Sequence, residues 1–322
     1  MNVTLDVSPL RQTRAGTARY LLGLLPHLEG LVELRRVAWG GGGRFAAAVR
    51  DAVWYPLVLP RRASASDLLH CPTFRGPARS KTPLVVTVHD LAVLRHPEAF
   101  NPWTRTYSRL AVPRVVRAAD RVIAVSEFTK RELVELLHVD ESRVRVVPNA
   151  VAPPFGPDGD RAAGDYVLAV GTLEPRKNLP RLAGAARRAD VELRIAGARG
   201  WGGVEAAGAT FLGFVPDEEL ARLYRGALCV VYPSLYEGFG IPVLEALACG
   251  APVVTSRGTA MAELADGAAV LVDPRDEESI AEGIREAIAR RDELARKGPD
   301  VARAYSWARS AASTVDVYRE LA

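Results

Sequence analysis

The chain has 322 residues, roughly two domains at about 100 to 200 residues each, and its 48% hydrophobic and 25% charged residues exclude a disordered chain, which is charge-rich and apolar-poor. No apolar run nears the roughly 20 residues that span a bilayer, and residues 1–30 lack the basic start, apolar core and cleavage site of a signal peptide, so a cytoplasmic protein is expected. Residues 1–160 carry 22 basic and 15 acidic side chains, net +7, against −3 for the remainder, a split that suits an anionic partner such as a membrane surface or nucleic acid, and equally an arginine-rich surface, since 38 of the 42 basic residues are arginine.

In the first half, short apolar runs at 3–7, 68–71, 84–88, 121–125 and 144–147 alternate with helix-like stretches at 16–28, 104–117 and 129–137. Such alternation predicts strand-helix-strand units and a parallel sheet. The pattern breaks over 151–164, VAPPFGPDGDRAAG. A second series follows, with runs at 166–170, 191–196, 210–214, 228–232, 252–255 and 270–272 and helices from 179, at 217–224, 241–248 and 260–264. Amphipathic stretches at 277–296 and 300–321 close the chain as two helices. The expected fold is α/β: two doubly wound, Rossmann-like domains facing across a cleft, one over 1–155, a linker over 156–164, the other over 165–304, and a last helix over 305–322. Cys71, Cys229 and Cys249 have neither disulfide nor metal spacing and read as small buried hydrophobes.

In parallel α/β sheets ligands bind at the carboxyl ends of the strands, so the polar residues there are the ones to inspect. LVVTV ends in His89-Asp90; this histidine is either structural or faces a ligand. YVLAV ends in Gly171, and Arg176 and Lys177 follow at once. Arginine grips phosphate oxygens bidentately and lysine supplies a compact charge, so the pair suits a diphosphate leaving group, or else is a solvated basic turn. In PSLYEGFGIPVLEALACG, Glu237 sits in a glycine-flanked loop with Gly238 and Gly240, and Glu245 is the one carboxylate on an otherwise apolar helix. Buried there, it needs a committed partner: ligand hydroxyls, an arginine, or the helix's positive end. Glycine-rich loop, helix start and nearby cations describe a phosphate site. The Gly16 loop opens a helix and offers a weaker phosphate contact. The glycines at 40–43 before Arg44 lack the GK[ST] of a P-loop and read as surface loop. The Asp158-Gly159-Asp160 triplet reads as a turn rather than a metal site.

Together these segments resemble the retaining glycosyltransferases of the two-Rossmann GT-B type, family 4, and particularly its mannosyltransferases. The resemblance is carried along nearly the whole chain by DVSPL with its GxxRY loop, TVHDLAVLRHPE, ADRVIAVSEFTKREL, VVPNAV, VGTLEPRKNL, FLGFVPDEEL, PSLYEGFGIPVLEALACGAPVVTS and YSWARSAASTVDVYREL. It implies that Arg176 and Lys177 bind the donor diphosphate beside Gly171, that Glu245 binds the ribose hydroxyls and Glu237 the transferred sugar, and that Gly238, Phe239, Gly240 and Ile241 lend backbone contacts. His89 would face sugar and acceptor, Phe214 and Val215 would border the nucleobase, and the last helix would return to the first domain. Ala18 stands where related chains often carry a second glycine, which leaves the Gly16 contact open.

The activity so implied is transfer with retention, without metal or cofactor, from a nucleotide sugar, GDP-mannose first, to a glycan or lipid-linked acceptor in surface-polysaccharide or glycolipid assembly. No nucleic-acid partner follows. Peripheral contact of the basic first domain with the inner face of the membrane is expected, Arg114, Arg117 and Arg121 being its candidates unless paired with Asp120. An epimerase or phosphorylase of the same architecture and a non-catalytic sugar-binding protein are the alternatives.

Overall fold

The structure is a computed structural model; it describes the chain apart from residues 13–15, 41–42, 101 and 201 and the side chains at 44, 45 and 103. Two compact units result. One comprises Met1–Ala150 with Ser306–Ala322, the other Val151–Tyr305.

The first unit is built on a six-stranded parallel sheet of β1 (Asn2–Asp6), β2 (Glu33–Val37), β3 (Leu68–Cys71), β4 (Leu84–Val88), β5 (Arg121–Ala124) and β6 (Val144–Val146), in the order β2-β1-β3-β4-β5-β6. The second has β7 (Tyr166–Val170), β8 (Glu192–Ala196), β9 (Thr210–Gly213), β10 (Cys229–Tyr232), β11 (Val253–Ser256) and β12 (Ala269–Val272), in the order β12-β11-β10-β7-β8-β9. Every pairing is parallel. Interior strands are covered on both faces, which is why LLHC, LVVTV and CVVY are buried throughout. The edge strand β2, ELRRV, buries only Val37, so it gives no apolar run, and the sequence pattern passes over it.

The two orders differ. The second unit has the Rossmann arrangement, reversing between β7 and β10, whereas the first reverses between β1 and β3 in the manner of flavodoxin-like sheets. Each reversal opens a crevice at the strands' carboxyl ends.

The sequence pattern expects two closing helices, but three form: Glu277–Ala289, Arg291–Ala302 and Trp307–Arg319. Arg290 leaves helical geometry at φ −98°, ψ 19°, and its guanidinium bonds Glu286 and Glu293 across the joint. The last helix starts where the Ser306 hydroxyl accepts the Arg309 N–H. Within the first unit Trp307 fills a notch at Gly23, where a β-carbon would overlap the indole. Glu320 bonds Arg121 and Arg145 at 2.7 and 2.8 Å. Residues 151–155, assigned from the sequence to the first domain, belong to the second unit: Phe155 packs edge-on against Tyr224, and Arg225 donates to the Gly156 and Asp160 carbonyls. All three cysteines are buried and free. No helix among the described residues is long and apolar enough to cross a membrane.

Candidate functional site

In the second unit the chain leaves β7 through Gly171, at φ +147°, where a β-carbon would come within 3.3 Å of the Lys177 side chain. A single 3-10 turn, Pro175–Lys177, follows and is closed by Asn178 in left-handed geometry at φ 60°. Asn178 Nδ2 donates to the carbonyls of Pro233 (3.1 Å) and Pro274 (2.6 Å), and the Leu235 N–H donates to the Arg176 carbonyl at 2.9 Å. These bonds tie the loop after β7 to the loop after β10 across the point of reversal. They bring Arg176, Lys177 and Glu237 together.

Lys177 Nζ donates to Glu237 Oε1 at 2.6 Å, and Arg176 Nη1 lies 3.0 Å from Glu237 Oε2. The Tyr232 hydroxyl donates to Oε1 at 3.3 Å, and Lys177 Nζ meets the same hydroxyl, 4.7 Å from the ring centre. Arg176 also donates to Glu174 Oε1 (2.8 Å) and the Tyr236 carbonyl (2.9 Å). Glu237 and Glu174 are buried. Burial alone would raise the Glu237 carboxyl, but Arg176 and Lys177 outweigh it and hold it at about 2. Burial would lower Lys177, and Glu237 with Tyr232 turns that into a rise. Tyr232 is pushed up to about 12, chiefly by burial.

Of the two readings the sequence leaves open, the solvated basic turn is excluded, because both cations are paired with Glu237. Two cations and two carboxylates form a cluster without net charge. A buried ionic cluster is weak evidence for stability, because desolvation offsets much of the attraction, and at a ligand-binding edge it is a candidate site. Sequence reasoning missed Glu174, Tyr232 and Tyr236. Glu174 lies two residues before Arg176 and Tyr232 ends β10, so position alone could have flagged those two.

Gly240, at φ +102°, precedes the helix Ile241–Ala248, and a β-carbon there would sit 2.7 Å from Met261 Cγ. Glu245 is 2% exposed, and the Tyr224 hydroxyl donates to its Oε2 at 3.1 Å. Gly238 is buried, Ile241 half-buried, and Phe239 packs edge-on to Tyr305 at 5.9 Å. Phe214 stands 67% exposed just past β9, beside half-buried Val215.

In the first unit His89, at the end of β4, lines a pocket of about 390 Å³. Its Nε2 lies 2.9 Å from the Pro72 carbonyl. A carbonyl only accepts, so Nε2 carries the proton, and burial keeps the ring below its usual range and neutral, with the lone pair on Nδ1. Tyr20 packs edge-on at 4.8 Å. Behind it, Tyr20 meets Thr87 at 3.3 Å, Thr87 meets His70 Nε2 at 2.8 Å, and His70 Nδ1 meets the Tyr318 hydroxyl at 2.6 Å. His70, to which the sequence gave no position at a strand end, is thus a buried bridge that burial holds neutral, near 3. Gly16 is exposed and opens the helix Gly16–Leu28. Arg14 and Ala15 before it, like Gly41, Gly42 and the Arg44 side chain, lie outside the described residues. Asp160 lends its carbonyl to Arg225 in the 151–164 segment.

The family model for glycosyl transferases group 1 matches residues 161–301, and that for Glycosyltransferase Family 4 matches residues 15–153. The O-antigen chain mannosyltransferase B of Escherichia coli is 30% identical over 383 aligned positions, covering all of both chains. Among solved structures, sucrose-phosphate synthase from Thermosynechococcus elongatus superposes with a TM-score of 0.78 at 19% identity, over 100% of this chain and 99% of that one. Anabaena Alr3699/HepE in complex with UDP-glucose gives 0.74 at 18% identity, over 99% of this chain and 100% of that one. The likeness to these two structures is one of fold, the GT-B arrangement of two parallel α/β sheets.

Proposed function

We propose that this chain, which belongs to the glycosyltransferases of group 1 and family 4, transfers mannose from GDP-mannose to a glycan or lipid-linked acceptor, with retention and without a metal. A relative matched over its full length is an O-antigen chain mannosyltransferase, which favours mannose over the glucose of the UDP-glucose complex. The observation that carries the mechanism is the Arg176–Glu237–Lys177 cluster at the reversal of the second sheet. When a sugar diphosphate enters, its oxygens take over the two cations from Glu237. The carboxylate so released accepts hydrogen bonds from the sugar hydroxyls. As the sugar–oxygen bond lengthens, Arg176 and Lys177 stabilise the charge growing on the departing diphosphate, and the acceptor hydroxyl attacks from the face the diphosphate leaves, passing its proton to the departing diphosphate oxygen. Glu245, on the helix after the glycine-rich loop, is the acceptor for ribose hydroxyls.

The test supplies GDP-mannose and a mannose-terminated oligosaccharide in excess EDTA. Release of GDP with formation of an α-mannoside is expected. Complete loss in EDTA restored by manganese, an inverted product, GDP-independent isomerisation, or a requirement for inorganic phosphate would each contradict the reading.

We extend the proposal to contact with an anionic membrane surface. The helix Pro102–Ala118 contains no acidic residue and exposes Arg105, Arg109, Arg114 and Arg117 with Leu110. Arg121 drops out of the expected set because Glu320 holds it, while the Asp120 carboxylate accepts the Leu84 N–H instead of pairing with an arginine. Basic residues at such a surface contribute on the order of 1 kcal/mol each and are screened by salt. Co-sedimentation with anionic vesicles should exceed that with neutral ones and fall steeply with salt; equal binding to both would overturn it.

A further inference from the structure

The pocket beside His89 lies where the first sheet reverses between β1 and β3, the place where open parallel sheets take ligands. Arg50 and Arg75 form part of its wall. Arg50 opens a nine-residue stretch of π-helix, Arg50–Val58, and Arg75 follows β3. Both lean on one carboxylate, Asp51. Arg50 grips it through Nε at 2.8 Å and Nη2 at 3.2 Å, and Arg75 reaches both oxygens through Nη1, at 2.9 and 3.2 Å. Two guanidinium groups thus share one carboxylate, and the cluster keeps one positive charge in excess.

The two arginines are not equivalent. Arg50 spends its remaining arm on Gln12 Oε1 at 2.7 Å. Arg75 keeps Nε and Nη2 without a hydrogen-bond acceptor among the described residues, and its guanidinium lies 5.5 Å over the Tyr107 ring, partly exposed to the pocket. Asp90 in the same wall and Asp6 close behind offset that excess, so what the pocket offers an anion is the fork of Arg75 and not a net charge. Asp90 accepts the Ala92 N–H at 3.0 Å and makes no ion pair among the described residues. His89 is neutral. Asp6, at the end of β1, is raised to about 6 by burial, against hydrogen bonds from Ser8 and Tyr55 and the charge of Arg50, and so remains mostly ionised at neutral pH.

We propose that this pocket binds an oxyanion on the sugar acceptor, a phosphoryl or carboxylate group, through the Nε–Nη2 edge of Arg75, with Asp51 and Arg50 holding that edge in place. A guanidinium edge presents two parallel donors matched to two oxygens of such a group, and the stacked Tyr107 and paired Asp51 fix its plane before the ligand arrives. The word acceptor rests on the transferase reading above; the binding of the anion does not.

The test is a calorimetric titration in saturating GDP or UDP, which keeps phosphate probes away from Arg176 and Lys177. The probes are mannose 6-phosphate, mannose joined through phosphate to a short isoprenyl chain, and octyl mannoside. Wild type should bind at least one phosphate-bearing probe roughly ten-fold or more tighter than octyl mannoside. Preference for the first probe identifies a sugar-borne anion, and for the second a lipid-linked one. Arg75→Gln should abolish the preference, and Arg75→Lys, which keeps the charge but not the fork, should lose most of it. Equal binding of all three probes by wild type, or an undiminished preference in a folded Arg75→Gln protein, overturns the proposal. An Arg75-dependent preference in a protein that releases no GDP with any acceptor would instead count against the transferase reading alone.

Discussion

Lys177→Ala lowers kcat/KM for sugar transfer by roughly one hundred-fold or more, while the protein still folds. The magnitude follows from losing about 3 kcal/mol of charge stabilisation at a departing diphosphate. Lys177 is the cleaner of the two cations to remove. Glu237 keeps Arg176 at 3.0 Å and the Tyr232 hydroxyl at 3.3 Å, so no buried carboxylate is left alone. Arg176→Ala would instead strip Glu174 of its guanidinium and the Tyr236 carbonyl of a donor, mixing lost stability with lost catalysis. The loss in Lys177→Ala should fall on kcat as well as on KM. Near-wild-type turnover would remove Lys177 from the mechanism.

Gly197→Ala is expected to destabilise the second unit by about 3 kcal/mol, at the upper end of overpacking costs. A β-carbon at Gly197 would overlap the Gly171 carbonyl oxygen, backbone against backbone, so no side chain can rotate away. The strand ends are fixed there by Gly171 N–H to the Ala196 carbonyl (2.9 Å) and Gly197 N–H to the Gly213 carbonyl (2.8 Å). Relief would have to move Gly171, on which Lys177 packs. Gly16→Ala, where nothing lies within 4 Å, should change stability by no more than about 0.5 kcal/mol. Denaturant midpoints compare the two, and a Gly197→Ala protein as stable as wild type would refute the crowding argument.

Most strands were legible because parallel strands bury both faces and leave apolar runs; β2 was not, because Glu33, Arg35 and Arg36 at the sheet edge leave none. The π-helix Arg50–Val58 had no signal either, lying in a stretch whose apolar residues fit no single period. At the candidate site, Glu237, Arg176 and Lys177 could be picked out from residue type at strand ends. What sequence could not supply was pairing. Lys177 and Glu237 are 60 residues apart, His70 and Tyr318 are 248 apart, and Arg75 finds Asp51 across 24. Such partners are set by strand order, so a local motif announces a charged residue but not whether its charge is already met. That is why the sequence left a diphosphate grip and a solvated turn both open where the fold holds a neutral cluster.

On the proposed mechanism, Glu237 stays ionised between two buried cations until a sugar diphosphate draws them away. Its carboxyl lies near 2 instead of the usual 4.5, so the pairing stabilises the fold fully above about pH 4.5 and is lost as pH falls toward 2, a contribution of about 3 kcal/mol. The direct measurement is the carboxyl carbon-13 resonance of Glu237, followed from pH 7 downward and again with GDP added. An ionised carboxylate is expected until the protein unfolds or pH approaches 2, with a resonance that shifts on adding GDP in wild type but little in Lys177→Ala. Titration near 4.5 in the folded protein, with no response to the nucleotide, would contradict it.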